Sequence, residues 1–139
     1  MYDVCITHAH GDRAFRNAIA GYLSQYNITM MEWLLLGIAA KEASKGVSMT
    51  HSAHVLGVTL PQVTALVAKL APLGYIQQKS SNVDRRSRII LITSKGSGVF
   101  EKSSKVLEDS LSSVFSGVSA SDVATYLRVQ QSLATQAAS

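Results

Sequence analysis

Two short helical segments, separated by one glycine and followed by two strand-like segments, constrain the fold of this 139-residue chain most strongly. The first segment covers 51–56 after a cap at Thr50, and Gly57 supplies the turn. The second opens with Thr59, three residues before Gln62. This spacing indicates a capping box, in which each side chain satisfies a backbone N–H that the helix leaves free. Helix, glycine turn and helix in this order predict a helix-turn-helix.

The second of these helices has its apolar residues on one side only. They follow the spacing of a helix that packs on one face: Val63, Leu66, Val67 and Leu70. Pro72 and Gly74 then end the helix. Residues 75–79 and 88–93 have the composition of two strands, joined by the polar loop 80–87. A helix-turn-helix followed by a two-stranded hairpin predicts a winged helix.

The rest of the chain is predicted to be helical. Thr29 and Glu32 form another capping box, which opens a nearly all-apolar helix over 30–44. Because it is apolar all round, this helix should be buried in the centre of the domain. Helical spacing and caps predict three further helices, over about 12–26, 95–116 and 119–136. We therefore predict one mostly α domain with a small β-hairpin wing.

Composition argues against several classes of protein. Hydrophobic residues make up 47% of the chain, which is enough for a packed core and excludes a disordered chain. The longest strongly apolar stretch, 33–40, is eight residues long, whereas a membrane span needs about 20, and no signal segment opens the sequence. The single cysteine, Cys5, excludes an internal disulfide and fits a reducing compartment. We therefore expect a cytoplasmic protein without a membrane partner.

Positive charge is concentrated in one segment. The chain has a formal net charge of +4, and residues 79–105 contain seven basic residues against two acidic ones. A localised basic patch is typical of nucleic-acid binders, while a solvated charged surface is the alternative. Arg85, Arg86 and Arg88 lie in the hairpin loop or at its end, where a phosphate-lined groove would offset their mutual repulsion. Asp84 can hold one guanidinium through a charge-assisted hydrogen bond.

The face of the second helix opposite its apolar stripe is predicted to enter the major groove of DNA. Gln62 suits an adenine edge, Thr64 a base or phosphate, and Ala65 a thymine methyl, whereas Lys69 suits a phosphate. A helix-turn-helix used only for packing or for protein contacts is the alternative. The predicted DNA-binding residues are Thr59, Pro61, Gln62, Thr64, Ala65, Lys69, Asp84, Arg85, Arg86 and Arg88.

Three stretches, about half of the chain, resemble the MarR-type (multiple antibiotic resistance regulator) transcription factors. They are ITMMEWLLL at 28–36, HVLGVTLPQVTALVAKLAPLGYI at 54–76 and DRRSRIILITSKG at 84–96. The Asp-x-Arg wing, followed by a strand that ends in Leu-x-Thr-x-x-Gly, is the most specific part. The resemblance implies that Arg86 enters the minor groove and that Asp84 orients it. Similar proteins often carry arginine or lysine at four positions that are neutral here, which are Ala65, Ala68, Gln77 and Gln78.

The same resemblance implies how the chain is organised and used. The whole chain is expected to be one domain, with dimerisation helices over about 1–28 and 95–139 and a winged helix-turn-helix over about 29–94. It implies a homodimer that binds a palindromic operator in double-stranded DNA. It also implies a transcriptional repressor, without enzyme activity or cofactor, whose DNA affinity changes when a small molecule or an oxidant binds. A winged-helix protein-interaction module that does not bind DNA is the alternative function, and a metal-responsive regulator is a further one.

Three other groups of residues could sense such an effector. His8 and His10, in THAHGDR, could bind a metal ion, but a metallohydrolase signature needs a further histidine where this chain has Arg13; a solvated N-terminal arm or a dimer contact is the alternative. Cys5 could sense an oxidant, although no basic neighbour adjoins it in the sequence; a small buried side chain is the alternative. An effector pocket is predicted at Tyr22, Tyr26, Met30 and Trp33, which could equally be plain core residues.

Overall fold

The chain folds into six α-helices and three short β-strands within residues 1–81 and 87–137, the part that this computed structural model describes. The elements follow one another as α1 (Tyr2–Leu23), α2 (Met30–Glu42), β1 (Val47–Ser48), α3 (Met49–Leu56), α4 (Leu60–Leu70), β2 (Ile76–Ser80), β3 (Arg88–Ile92), α5 (Ser94–Val114) and α6 (Ala120–Ala137). The predicted fold class, mostly α with a small hairpin, is confirmed. The chain divides into two compact units, Met1–Leu107 and Glu108–Ser139.

Helix α2 forms the centre of the first unit, as its composition predicts. Its capping box is present, because Thr29 accepts a hydrogen bond from the backbone N–H of Glu32 and the Glu32 carboxylate accepts one from the backbone N–H of Thr29. Leu35, Leu36 and Ala39 are completely buried. The helix therefore has a fixed start and a fixed position in the core, against which the remaining elements pack.

The strands form one antiparallel sheet in the order β1-β3-β2. In the hairpin, Ile76 faces Ile92 and Ser80 faces Arg88. On the other side of β3, Val47 faces Ile90. Strand β1, which the sequence did not predict, therefore fixes the segment before α3 to the hairpin.

Helix α5 begins within the Leu-x-Thr-x-x-Gly motif, which lies in close contact with the hairpin. The Thr93 hydroxyl donates to the carbonyl of Gly74 at 2.6 Å and accepts from the N–H of Gly96 at 3.0 Å. The N–H of Thr93 donates to the carbonyl of Tyr75, also at 3.0 Å. A Cβ atom on Gly96 would overlap that carbonyl. The motif therefore holds the end of the hairpin and the start of α5 together, and only glycine fits at its last position.

Two helix starts differ from the prediction. Helix α1 begins at Tyr2 rather than near residue 12, so the THAHGDR segment is helical and is not an extended arm. Its side chains are exposed, and Asp12 forms an ion pair with Arg16 at 2.9 Å, one helical turn further on. Helix α3 is capped by Ser48 rather than by Thr50, since the Ser48 hydroxyl accepts from the N–H of His51 at 3.0 Å.

In the described ranges, no single helix is long and apolar enough to cross a membrane. Helices α3 and α4 together have the length and apolar composition of a membrane span, but the chain bends by 107° between them.

Candidate nucleic-acid interface

Helix α4 is held in one orientation by its apolar stripe and its N-terminal cap. Val63, Val67 and Leu70 are buried, which fixes the opposite side toward solvent. The predicted capping box is present: the N–H of Thr59 donates to Gln62 Oε1 at 2.8 Å, and the N–H of Gln62 donates to the Thr59 hydroxyl at 3.4 Å. The helix starts at Leu60 with proline in its first turn, where the missing N–H costs nothing.

All the α4 residues that were predicted to contact DNA are exposed: Thr59, Pro61, Gln62, Thr64, Ala65 and Lys69. Their polar groups are partly engaged within the helix, however. Gln62 Oε1 accepts from the backbone and the hydroxyl of Thr59, so only its amide N–H groups remain for a base edge. The Thr64 hydroxyl donates to the carbonyl of Leu60 at 3.1 Å. A two-point contact between Gln62 and adenine therefore requires the capping box to open.

One of the predicted arginines, Arg88, lies beside α4. Arg88 is exposed at the start of β3, and the N–H of Ser81 donates to the carbonyl of Ser87 at 2.8 Å across the hairpin. The predictions for Asp84, Arg85 and Arg86 fall on residues outside the described ranges. Their contacts remain predictions from the sequence.

A notch of about 300 Å³ lies between the start of α3, the helix α4 and the base of the hairpin. Ser48, Thr50 and Leu60 line it together with two predicted site residues, Thr64 and Arg88. Thr50 and Leu60 were not predicted to belong to the site. Leu60 has the helical spacing of the apolar stripe, three residues before Val63 and seven before Val67, so nothing in the sequence marked it as exposed, yet it is 48% exposed. The surface beside α4 therefore combines hydroxyl groups, an apolar side chain and a guanidinium.

Lys69, the predicted phosphate contact at the end of α4, has an acidic neighbour in the same molecule. Its Nζ lies 3.8 Å from Glu32 Oε1. The Lys69 side chain is 71% exposed, whereas that of Glu32 is only 5% exposed. The lysine is thus free to move toward solvent, but the carboxylate is not.

Two of the four residues of the predicted effector pocket, Trp33 and Met30, line different cavities. Trp33 lines a mostly apolar cavity of about 430 Å³ between α2, α3 and α5, where its ring stacks on Phe100 with the centroids 5.6 Å apart. The Trp33 indole N–H is buried and has no hydrogen-bond partner among the described residues. Met30 lines a different cavity. Tyr22 and Tyr26 are half-buried against the core and line neither of these two cavities.

The residues predicted as sensors near the N-terminus are all exposed on α1. Cys5 is a free, exposed cysteine and is not the buried side chain offered as its alternative role. His8 and His10 are also exposed. Within residues 1–81 and 87–137, no three His, Cys, Asp or Glu side chains come together as a metal site would require.

Comparison with solved structures identifies the fold. CouR from Rhodococcus jostii RHA1, solved with p-coumaroyl-CoA, has a TM-score of 0.86 at 20% identity, over 95% of this chain and 92% of that chain. A mutant MarR from E. coli in complex with operator DNA has a TM-score of 0.83 at 17% identity, over 94% and 93% of the two chains. The S. aureus MepR–DNA complex has a TM-score of 0.82 at 18% identity and covers 98% of both. No family profile and no characterised protein matches the chain by sequence.

Proposed function

We propose that this chain, which has the winged-helix fold of the MarR-family transcriptional regulators, is a cytoplasmic regulator that binds specific sequences in double-stranded DNA and has no enzyme activity. The observation that carries the proposal is the exposed face of α4 beside the base of a hairpin that has two arginines in its loop sequence and a third, Arg88, at the start of β3. A single helix fits the major groove, and arginine is attracted to a narrow minor groove. The solved complexes of MarR with operator DNA and of MepR with DNA support this use of the fold.

The proposal includes a homodimer formed through the first and last helices. The apolar side chains exposed on α6 support it, because Tyr126, Leu127, Val129 and Leu133 are each about half exposed and no residue of this described helix is buried. The start of α1 is similarly exposed at Tyr2 and at Val4. An exposed apolar surface of this kind is typical of a contact between protein chains. Two winged helices in a symmetric dimer bind half-sites about one helical turn apart.

Repression relieved by an effector is the second part of the proposal. The cavity beside Trp33 lies between α2, which forms the centre of the first unit, and α3, which precedes α4. Its wall is mostly apolar and includes the stacked rings of Trp33 and Phe100, and Lys41 supplies a positive charge. The helices are proposed to have two arrangements, one that binds the operator and one that does not. A small molecule that binds the cavity more tightly in the second arrangement raises its population and so lowers operator affinity. The solved complex of CouR with p-coumaroyl-CoA supports a small-molecule site in a protein of this fold.

The DNA-binding proposal is tested by measuring affinity for the DNA upstream of the chain's own coding sequence at two salt concentrations. Contacts with phosphates release counterions, so we expect the affinity to fall as salt rises. Arg86→Ala should weaken binding about tenfold, equivalent to ~1.4 kcal/mol, while circular dichroism and the oligomeric state stay unchanged. Arg13→Ala, on the exposed surface of α1, removes the same charge and is the matched control.

The outcomes separate the proposal from its alternatives. Binding that does not weaken with salt, or an Arg86→Ala variant that binds as tightly as the wild type, contradicts the proposed role of the wing. No DNA binding even at low salt favours a protein-interaction module. Stoichiometric metal in the purified protein, by elemental analysis, favours a metal-responsive regulator.

The effector site is tested by thermal-shift screening of small molecules. A compound counts as an effector only if it stabilises the protein and lowers operator affinity. Trp33→Phe replaces the indole that lines the cavity with a smaller ring, so it should weaken the binding of such a compound. If every compound that releases DNA binds Trp33→Phe and wild type equally, this cavity is not the effector site.

A further inference from the structure

A cavity of about 580 Å³ lies where three helices meet in the first unit: the end of α1, the start of α2 and the end of α4. Ala20, Ile28, Met30 and Leu73 form its apolar wall. It is separate from the cavity beside Trp33, with which it shares none of its lining residues. Its size is within the range of small-molecule sites.

The distinctive group in this cavity is the carboxylate of Glu32. Glu32 is 4% exposed, yet it lines the cavity. Its Oε2 accepts the N–H of Thr29 at 2.8 Å as part of the capping box. Its Oε1 has no hydrogen bond from any residue in the described part of the chain, and its closest cation is Lys69 Nζ at 3.8 Å. Glu32 lines the cavity and its Oε1 is not among the fully enclosed polar atoms, so a donor group on a ligand can reach this oxygen.

Lys69 does not satisfy this oxygen well. A separation of 3.8 Å is longer than a hydrogen bond, and the Lys69 side chain is 71% exposed. An ion pair of this kind contributes little, because water screens it and the long side chain loses entropy in forming it. A ligand that donates a direct charge-assisted hydrogen bond to Glu32 Oε1 can therefore displace Lys69.

We propose that this cavity binds a small organic cation, with its ammonium group on Glu32 Oε1 and its apolar body against Ala20, Ile28, Met30 and Leu73. Charge complementarity supports a cation. Helices α1 and α4 both end near the cavity, and the carbonyl ends of helices favour positive charge. The start of α2 has the opposite effect, but Glu32 itself compensates it from within the capping box. Among the residues that line the cavity, Lys69 is the only cation.

The experiment uses hexylammonium as the probe and hexanoate as its anionic counterpart, each titrated into the 139-residue chain without DNA. Binding is followed through the amide NMR signals of Thr29 and Glu32. We expect hexylammonium to bind saturably and hexanoate not to bind at these residues. Because no DNA is present, the result does not depend on the proposed regulatory function.

Three variants locate the site. Glu32→Gln should weaken hexylammonium binding about tenfold or more, because it removes the charge from the acceptor. The variant should fold, because glutamine fills the same position in the capping box of Thr59 and Gln62 in this chain. Glu42→Gln removes the same charge from the exposed end of α2 and should leave binding unchanged. Lys69→Gln removes the competing cation and should tighten binding about threefold.

Several results would overturn the proposal. One is the absence of saturable hexylammonium binding in both the wild type and Lys69→Gln. Another is equal binding by Glu32→Gln and the wild type, with Glu32→Gln shown to be folded by its NMR spectrum. Hexanoate binding as tight as hexylammonium binding at Thr29 and Glu32 would show an apolar cavity without the proposed selectivity for positive charge.

Discussion

Replacing Gly96 with alanine tests the contact that joins the hairpin to α5. An ideal Cβ on Gly96 would overlap the carbonyl oxygen of Tyr75 and lie 2.8 Å from its carbonyl carbon and 3.0 Å from its Cα. All three are backbone atoms, so no side-chain rotation relieves the overlap. The helix start must move away from Tyr75, or the Tyr75 peptide must rotate. Either change strains hydrogen bonds that Thr93 makes with Gly74, with Tyr75 and with Gly96.

The expected loss of stability follows from these contacts. Overpacking of this kind costs about 1–3 kcal/mol. Losing one or two of the hydrogen bonds adds about 1 kcal/mol each, and the higher helix propensity of alanine returns about 1 kcal/mol. We therefore expect Gly96→Ala to lower the free energy of unfolding by about 1–4 kcal/mol. That is a large part of the ~5–15 kcal/mol typical of a domain.

Urea unfolding followed by circular dichroism, at matched protein concentration because oligomerisation contributes to stability, measures this loss. Gly98→Ala is the control in the same helix, since a Cβ there meets nothing within 4 Å. It should raise stability by up to about 1 kcal/mol through helix propensity. If Gly96→Ala is as stable as the wild type within about 0.5 kcal/mol, the close contact with Tyr75 is not present in solution and the reasoning fails.

Three further predictions follow from the core, the cap and the proposed DNA-facing surface. Leu36→Ala should lower the free energy of unfolding in urea by about 2.7–5 kcal/mol, because Leu36 is fully buried. Leu34→Ala is the control in the same helix and should lower it clearly less, because Leu34 is 36% exposed. Equal losses for the two variants would contradict the burial of Leu36. Thr59→Ala should lower the free energy of unfolding by about 1 kcal/mol, because the helix loses its N-cap hydroxyl, and Thr59→Ser should keep the wild-type stability. If Thr59→Ser is as unstable as Thr59→Ala, the hydroxyl is not the cause. Lys69→Gln should weaken DNA binding and reduce the salt slope by about one phosphate contact, and an unchanged slope would remove Lys69 from the interface.

Local signals in the sequence were sufficient to predict the helices that carry the site. The pairs Thr29–Glu32 and Thr59–Gln62 mark helix starts to the residue, because a capping box depends only on side chains three residues apart. The exposed face of α4 followed from its apolar stripe for the same reason. These features depend on neighbouring residues of the chain and were predictable, whereas the cap of α3, also local, was placed at Thr50 rather than at Ser48.

Features that depend on distant residues were not. Strand β1 is only two residues long and exists through its pairing with β3, some forty residues later. The first half of α1 was missed because its side chains are exposed and therefore follow no apolar stripe. The approach of Lys69 to Glu32 joins two helices that are far apart in the sequence. The spacing of residues along the sequence predicts neither that contact nor the cavities beside Trp33 and Glu32.

The distribution of charge has a consequence for how this protein would bind DNA. On the predicted DNA-facing side of α4, the only cation is Lys69, and it lies near the carboxylate of Glu32. Attraction to phosphates must therefore come mainly from the basic segment 79–105, which includes the hairpin. The α4 face then contributes apolar and hydroxyl contacts, which suit thymine methyl groups better than guanine. Together with arginine in a narrow minor groove, this favours an operator rich in A·T pairs. Replacing A·T steps of the operator with G·C steps should therefore weaken binding more than replacing them with other A·T-rich steps.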